Sequence, residues 1–260
     1  MGTLGTLQYR ALHVPHGDSG MYEEHLWNVL AGKGFRSQID DGRLFLGEHL
    51  QVFHLVLIPI YLLWPSLEIL QITESIALAS GAVAIFFLAR GMGLAPIGVP
   101  LSIAYLLYFP LQYLNLEMSW KTFRPEAFGV PLLLWGLVCL ERRRYGSMSI
   151  FLLAAISAKE DYGITTACIG FWLAGSAFFQ QPIHRLRIIW GMAWGVFSIA
   201  MVVVVVRWMI PYFRDDVPHF SRYFEGLGDS PAEVATKLLS DPMLFVGLLT
   251  TPANLWYVTM

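Results

Sequence analysis

Charge is what this sequence has least of. Only 14% of its 260 residues are Asp, Glu, Lys or Arg, where a soluble domain carries about a quarter. With 56% hydrophobic residues and a mean hydropathy of +0.55, the long apolar runs read as membrane-embedded. A basic excess is missing as well: the formal net charge of -2 argues against a nucleic-acid binder. Cysteine is nearly absent, and Cys139 and Cys168 both sit inside apolar runs. They read as small core residues rather than a disulfide or metal pair. The seven histidines show no zinc spacing, so no histidine metal site is expected, and there is no Gly-rich phosphate loop, G-x-S-x-G elbow or CxxC pair. Residues 1–20 are polar and Gly-rich, unlike a secretory signal. The chain opens in a polar stretch with no membrane helix ahead of it and closes partway through the apolar "LFVGLLTTPANLWYVTM"; the expectation is a fragment of a longer protein or a mis-assigned start.

What remains is apolar helix. A spanning helix needs about 20 apolar residues. The pattern predicts membrane segments over 67–89, 94–113, 126–140, 148–158, 162–179 and 186–210. The stretch 50–64 contains Pro59, ends at Trp64-Pro65 and is short for a crossing, which suits an interfacial or re-entrant helix. Lys159-Glu160-Asp161 cuts 148–179 into two arms. Read as a hairpin, these arms bring Arg90, Arg142-Arg143-Arg144 and His184 to Arg187 to one membrane face, as the positive-inside rule asks. The expected organisation is an outer loop with juxtamembrane helices over 1–66, a bundle over 67–210, a second outer loop over 211–242 with a short helix, and a truncated segment over 243–260.

This topology sends the unusual polar residues outward. Asp18 precedes a short amphipathic helix stopped by Gly32 and Gly34, as a helix N-cap or as a general base held at a helix start. Glu48-His49 is suited to acid/base work or phosphate binding, or marks the interface. Arg124-Pro125-Glu126 sits where an outer turn meets a helix: Pro125 suits the first helical position, Glu126 complements the dipole, and Arg124 is a phosphate fork or a snorkelling arginine. Lys159, Glu160 and Asp161 lie at the end of an arm too short to cross, so they face protein or water, or form a self-paired turn. Glu74, inside a span, reads as a structural hydrogen-bonding partner. Asp215, Asp216, His219, Arg222 and Glu225 follow in the next loop, and Ser230-Pro231-Ala232-Glu233 is a capping box.

The order of these pieces resembles an uncharacterised prokaryotic integral-membrane family, a domain of unknown function. It runs from an acidic residue, Leu-Trp-Asn and Gly-x-Gly to Gly-Glu-His, "FRPEAFGVPLLL", "LERRR" and "AKEDYG". That family is itself similar to the GT-C glycosyltransferases, such as protein O-mannosyltransferases and lipid A aminoarabinose transferases. The resemblance spans about Tyr9 to Asp241 and implies an all-α, GT-C-like polytopic bundle in the cell membrane. It implies transfer of a sugar from a polyprenyl-phosphate donor to an envelope acceptor on the outer face. By position Asp18 falls on the catalytic Asp, with Ser19 where the family often has Glu. Glu48-His49 falls near the donor phosphate, without the prolines found there. Lys159 falls on a lysine at a helix turn, and a first transmembrane helix is expected ahead of Tyr9. On this basis Lys159 and Arg124 bind phosphate, with Glu126 beside Arg124, while Glu160 and Asp161 orient Lys159 or hold a divalent cation. Two other readings stand beside it: a non-catalytic or degenerate relative, and a transporter or flippase using Glu74 and the hairpin.

Overall fold

The computed structural model describes residues 17–39, 41–116, 123–179, 184–214 and 231–252, with residues 3, 6, 7, 10, 11, 227, 228, 254 and 255 beside them. The chain forms two compact units, Met1–Phe213 and Arg214–Met260. Among the described residues everything regular is helical, apart from an isolated antiparallel bridge between Arg36 and Leu44. The protein is all-α.

The first unit begins with α1 (Asp18–Leu30), then 3-10 turns at Phe45–Gly47 and Phe53–Leu57, the latter running into α2 (Ile58–Leu63). Phe53–Leu63 is an apolar piece too short to span, as Pro59 and Trp64-Pro65 led us to expect. α3 (Leu67–Gly91) starts at Ser66, whose hydroxyl accepts from the Glu68 amide at 3.2 Å. No proline interrupts its 25 residues, which rise about 37 Å. α4 (Ala95–Leu107) and α5 (Phe109–Leu116) replace the single segment expected over 94–113. They bend by 50° at Tyr108, two residues before Pro110, which has no amide to continue a helix and crowds the residue ahead of it. A 3-10 turn at Pro125–Phe128 leads into α6 (Gly129–Glu141). α7 (Tyr145–Ala158) and α8 (Tyr162–Phe178) are the two arms around Lys159 to Asp161. α9 (Arg185–Val204) continues through a π-helical turn, Val205–Met209, into α10 (Ile210–Arg214).

By length and composition, Leu67–Gly91 and Arg185–Arg214 can each cross a membrane, and the bent α4–α5 pair makes a third. α7 and α8, with 14 and 17 residues, rise only about 21 and 26 Å. In the second unit, α11 (Pro231–Ser240) stops before Pro242, and α12 (Pro242–Leu249) is capped by Asp241, which accepts from the Leu244 amide at 3.1 Å. Ser230 of the expected capping box and Asp215, Asp216, His219, Arg222 and Glu225 lie outside the described residues.

Side-chain contacts fix which ends meet. The Arg142 guanidinium lies over Phe87, the Tyr145 and Trp190 rings stack at 5.9 Å, and the Trp194 indole donates to Ser149 at 2.8 Å. The basic ends of α3, α6 and α9 therefore share one end of the unit with the start of α7. The tightest seam is α8 on α9. Gly170 and Ala174 face Gly191 and Gly195 so closely that a Cβ on Gly170 would sit 2.5 Å from the Gly195 amide nitrogen, and one on Gly191 would sit 2.5 Å from the Ala174 nitrogen. Small residues four apart on both helices let the backbones touch, the usual solution where lipid gives no hydrophobic drive. Thr166 closes the seam with a 3.0 Å hydrogen bond to Ser198. This small-residue spacing is absent from the reading of the sequence above.

Gly191→Val should cost about 3 kcal/mol by overpacking the seam. Gly175→Ala, where a Cβ meets nothing within 4 Å, should be neutral or gain up to about 1 kcal/mol from helix propensity. Unfolding in mixed detergent micelles compares the two; equal losses would place the seam elsewhere.

Candidate functional site

At the other end of the first unit the juxtamembrane segments lie over the helix termini. α1 is amphipathic in an unusual way, because its buried face carries polar groups. Asp18, Tyr22 and His25 recur at helical spacing, and Tyr22 and His25 are buried with Leu26. Asp18 is not the N-cap expected from sequence: Gly17 holds that position, and Asp18 is the first helical residue, half-buried. The Ser19 hydroxyl is buried and accepts from the Phe123 amide at 3.0 Å, tying α1 to the chain that enters the Arg124 turn.

Arg124 caps the 3-10 turn with extended backbone, and Pro125 takes its first position, as expected. The Arg124 amide donates to the buried Glu74 carboxylate at 2.9 Å, the structural role anticipated for Glu74. Glu126 accepts from the Gln51 side-chain amide at 2.7 Å, and its carbonyl accepts from the Tyr162 hydroxyl at 2.8 Å. Gln51, fully buried, accepts in turn from the Tyr22 hydroxyl at 2.9 Å. Burial, with the nearby Glu126 and Asp18 charges, pushes the Tyr22 phenol well above its ordinary value, against the pull of Arg124. Asp18, Arg124 and Glu126 thus act on one phenol.

The Lys159-Glu160-Asp161 triplet is split. Lys159 pairs outward with the exposed Asp161 at 3.6 Å. Glu160 turns inward: one oxygen meets His49 Nδ1 at 2.7 Å, and the other accepts from the Leu50 amide at 2.9 Å. Its side chain is 7% exposed against 38% for His49, so a sunken carboxylate holds an imidazole that reaches solvent. Burial alone would raise the Glu160 carboxyl, but the His49 hydrogen bond and charge, with the Glu160 and Leu50 amides, overcome it and hold it below its ordinary range. Glu160 therefore orients His49, and Asp161 is the carboxylate that stands beside Lys159. Among the described residues no group of three His, Cys, Asp or Glu is placed to hold a metal ion. Glu48 is the half-buried cap of the Phe45–Gly47 turn.

The arrangement provides a carboxylate on a helix start, a carboxylate-held imidazole, and two cationic side chains at one end of a membrane bundle. Such a set can accept a proton and steady a leaving anion. Gln51, Tyr22 and Tyr162, which join the pieces, went unread in the sequence; the one available signal was the Asp18-Tyr22-His25 spacing. Beneath them lies an aromatic layer. His25 and His54 are fully buried, 5.5 Å apart, against Phe35 and Phe45. None of their four ring nitrogens makes a well-formed hydrogen bond. Burial lowers His25 to about 4. Burial and the charge of His25 lower His54 to about 3, only partly offset by the Gln51 backbone.

The family described as "Predicted membrane protein (DUF2079)" matches residues 10–260, and the chain belongs to it. No curated protein and no solved structure matches it.

Both histidines are depressed below the unfolded value of about 6.5, so their contribution to stability is complete above that pH and is lost as pH falls towards their folded values. At pH 5 each ring should cost about 2 kcal/mol relative to pH 7. Glu160 acts in the same direction at lower pH, its share disappearing as pH falls through its depressed value. Thermal unfolding in detergent should show the midpoint dropping between pH 7 and 5, with a flatter dependence in His54→Phe. An unchanged slope would mean that the rings are solvated.

Proposed function

We propose that the protein is an integral-membrane glycosyltransferase that moves a sugar from a polyprenyl-phosphate donor to an envelope acceptor at the outer face of the cell membrane. The observation that carries this reading is the convergence of Asp18, the His49–Glu160 pair, Arg124 and Lys159 at one end of an apolar bundle. The expectation from the sequence that this family is similar to the GT-C enzymes supports it, as do the exposed apolar side chains of Val56, Leu62 and Leu63, on which a lipid-linked donor can lie.

The chemistry is a substitution at the anomeric carbon. The acceptor hydroxyl oxygen forms a bond to that carbon while the bond to the phosphate oxygen breaks. The hydroxyl proton goes to Asp18, and the bonding pair leaves with the lipid phosphate. Arg124 and Lys159 steady the departing anion, a task for preorganised cations in a site shielded from water. His49, held through Nδ1 by Glu160, offers Nε2 to the same phosphate. Membership of the family and the positive-inside rule support the membrane setting; the outward face is part of the proposal.

A second reading has its own observation. Gln51, Glu126 and Glu160 are all engaged in internal hydrogen bonds, as befits a non-catalytic scaffold that uses polar ties to hold its layers.

The protein in liposomes, given radiolabelled polyprenyl-phosphate sugars and cell-envelope acceptors, separates the two. We expect label transfer to fall by about 10²–10⁴-fold in Asp18→Asn. Glu160→Gln should lose about 10² with little change in donor KM, because it acts through His49. Full transfer in Asp18→Asn removes Asp18 as the base. Absence of transfer from every lipid-phosphate sugar favours the scaffold.

A further inference from the structure

The opposite end of the first unit carries a feature that the proposed reaction does not use and on which it does not rest. Two helices there, α3 and α6, close with the same turn that ends α1 at the other end. After α1, Gly32 donates to Val29 and Lys33 to Asn28; after α3, Gly93 donates to Arg90 and Leu94 to Ala89; after α6, Arg143 donates to Leu140 and Arg144 to Cys139. This paired 6→1 and 5→2 pattern puts one residue in the left-handed region, where glycine is the usual occupant. Gly32 has φ 71° and Gly93 has φ 78°, but the third position holds Arg143 at φ 56°. A β-carbon there is strained, and such strain persists where a side chain is needed at that point.

The Arg143 side chain lines a groove of about 440 Å³ with Tyr145, His184, Arg185, Leu186 and Arg187. No acidic residue is among these, and among the described residues no carboxylate pairs with Arg143, His184 or Arg185. The neighbouring groove around Arg90 and Arg142 differs, because Glu141 lines it too. Beside the all-basic groove the Tyr145 and Trp190 rings stack within 14° of parallel, and amphipathic rings of this kind settle at the headgroup level. Leu186 and Ile189, 57% and 64% exposed on α9, continue from the groove along the lipid-facing side.

We propose that this groove is a binding site for the phosphate headgroup of an anionic glycerophospholipid. Arg143 and Arg185 act as the main forks on the phosphate, Arg187 contributes further positive charge, the His184 ring lines the same groove, and the acyl chains lie along Leu186 and Ile189. Charge complementarity selects an anion. The apolar wall selects a lipid rather than a soluble phosphate ester, and the positive-inside rule places the site in the cytoplasmic leaflet.

Arg143→Gly offers a test in which folding and binding move apart, because glycine relieves the strained backbone while removing the guanidinium. Native mass spectrometry of the full chain in detergent, titrated with phosphatidylglycerol, cardiolipin or phosphatidylcholine, reads binding; thermal unfolding reads the fold. We expect retention of the two anionic lipids over phosphatidylcholine, about fivefold weaker binding for each arginine removed in Arg143→Gly and Arg185→Gln, and no loss of thermal stability in Arg143→Gly. Soluble glycerophosphoglycerol should compete only weakly. Equal binding of charged and zwitterionic lipids, or unchanged binding in both variants, would overturn the proposal. Competition by the soluble ester as strong as by the lipid would overturn the lipid assignment.

Discussion

A carboxylate sunk into the turn between two apolar helices sets the terms for the rest of its end of the first unit. Leaving Glu160 unpaired there would cost several kcal/mol, and the α7–α8 turn alone does not satisfy both its oxygens. The partners come from 110 residues earlier in the chain, the His49 ring and the Leu50 amide. For them to arrive, the segment after Glu48 must lie across the top of the helix pair, and it is held there by the Val52 amide donating to the Ser157 carbonyl at 2.9 Å. Once that segment is placed, Gln51 has one position from which it reaches both Tyr22 and Glu126. A single buried charge therefore registers α1, the juxtamembrane layer, the Arg124 turn and the α7–α8 hairpin against one another.

The two ends of the first unit solve opposite problems. At the Glu160 end, carboxylates are buried: both Glu160 oxygens are engaged, and Glu74 and Glu126 each accept through one oxygen. At the other end, arginines crowd together with few counter-charges. Like charges in one groove repel, and nothing in the packing of α6, α7 and α9 requires arginine at the turns. The stacking of Tyr145 on Trp190 and the donation from Trp194 to Ser149 join α7 to α9 without a cation, and only Arg142, over Phe87, takes part in the packing of that end. The two ends thus differ in kind: one buries its carboxylates against amides and an imidazole, the other gathers guanidinium groups around a groove.

Much of the helical architecture was legible because lipid leaves few alternatives: apolar runs bounded by charge or proline must be helices. The break at Lys159 to Asp161 and the gathering of Arg90, the triple arginine and His184 to Arg187 at one end follow from that constraint. The bend at Tyr108 was readable in principle from Pro110, but apolar composition hid it. The site was legible as residue types and not as partners. Glu160 looked like a neighbour of Lys159 because sequence shows adjacency, whereas a turn of this kind sends successive side chains in different directions. Gln51 and Tyr22 carry no signal of their own; a lone amide and a helix tyrosine gain meaning only when burial demands a partner for each. The glycine seam was visible as Gly191-x-x-x-Gly195, yet four-residue spacing of small residues becomes an argument only once the facing helix supplies Gly170 and Ala174.

The depth of the site follows from lengths alone. Glu74 receives the Arg124 amide although it lies seven residues into α3, so the Arg124 turn sits about 10 Å below the start of that helix. α7, rising about 21 Å against about 37 Å for α3, brings Glu160 to a similarly lowered level, and the Tyr22–Gln51–Glu126–Tyr162 bonds show that the two meet there. This end of the first unit therefore lies below the start of α3, with residues 49–52 tied across the α7–α8 turn. Val56, Leu62 and Leu63 carry exposed apolar side chains in the segment that follows. For the lipid-linked donor we propose, this level suits an amphiphile moving in the membrane plane with its polar group towards Asp18 and His49. The short hairpin, imposed by a charged triplet that does not sit within a continuous helix, is thus the feature that sets the level at which the donor we propose would be met.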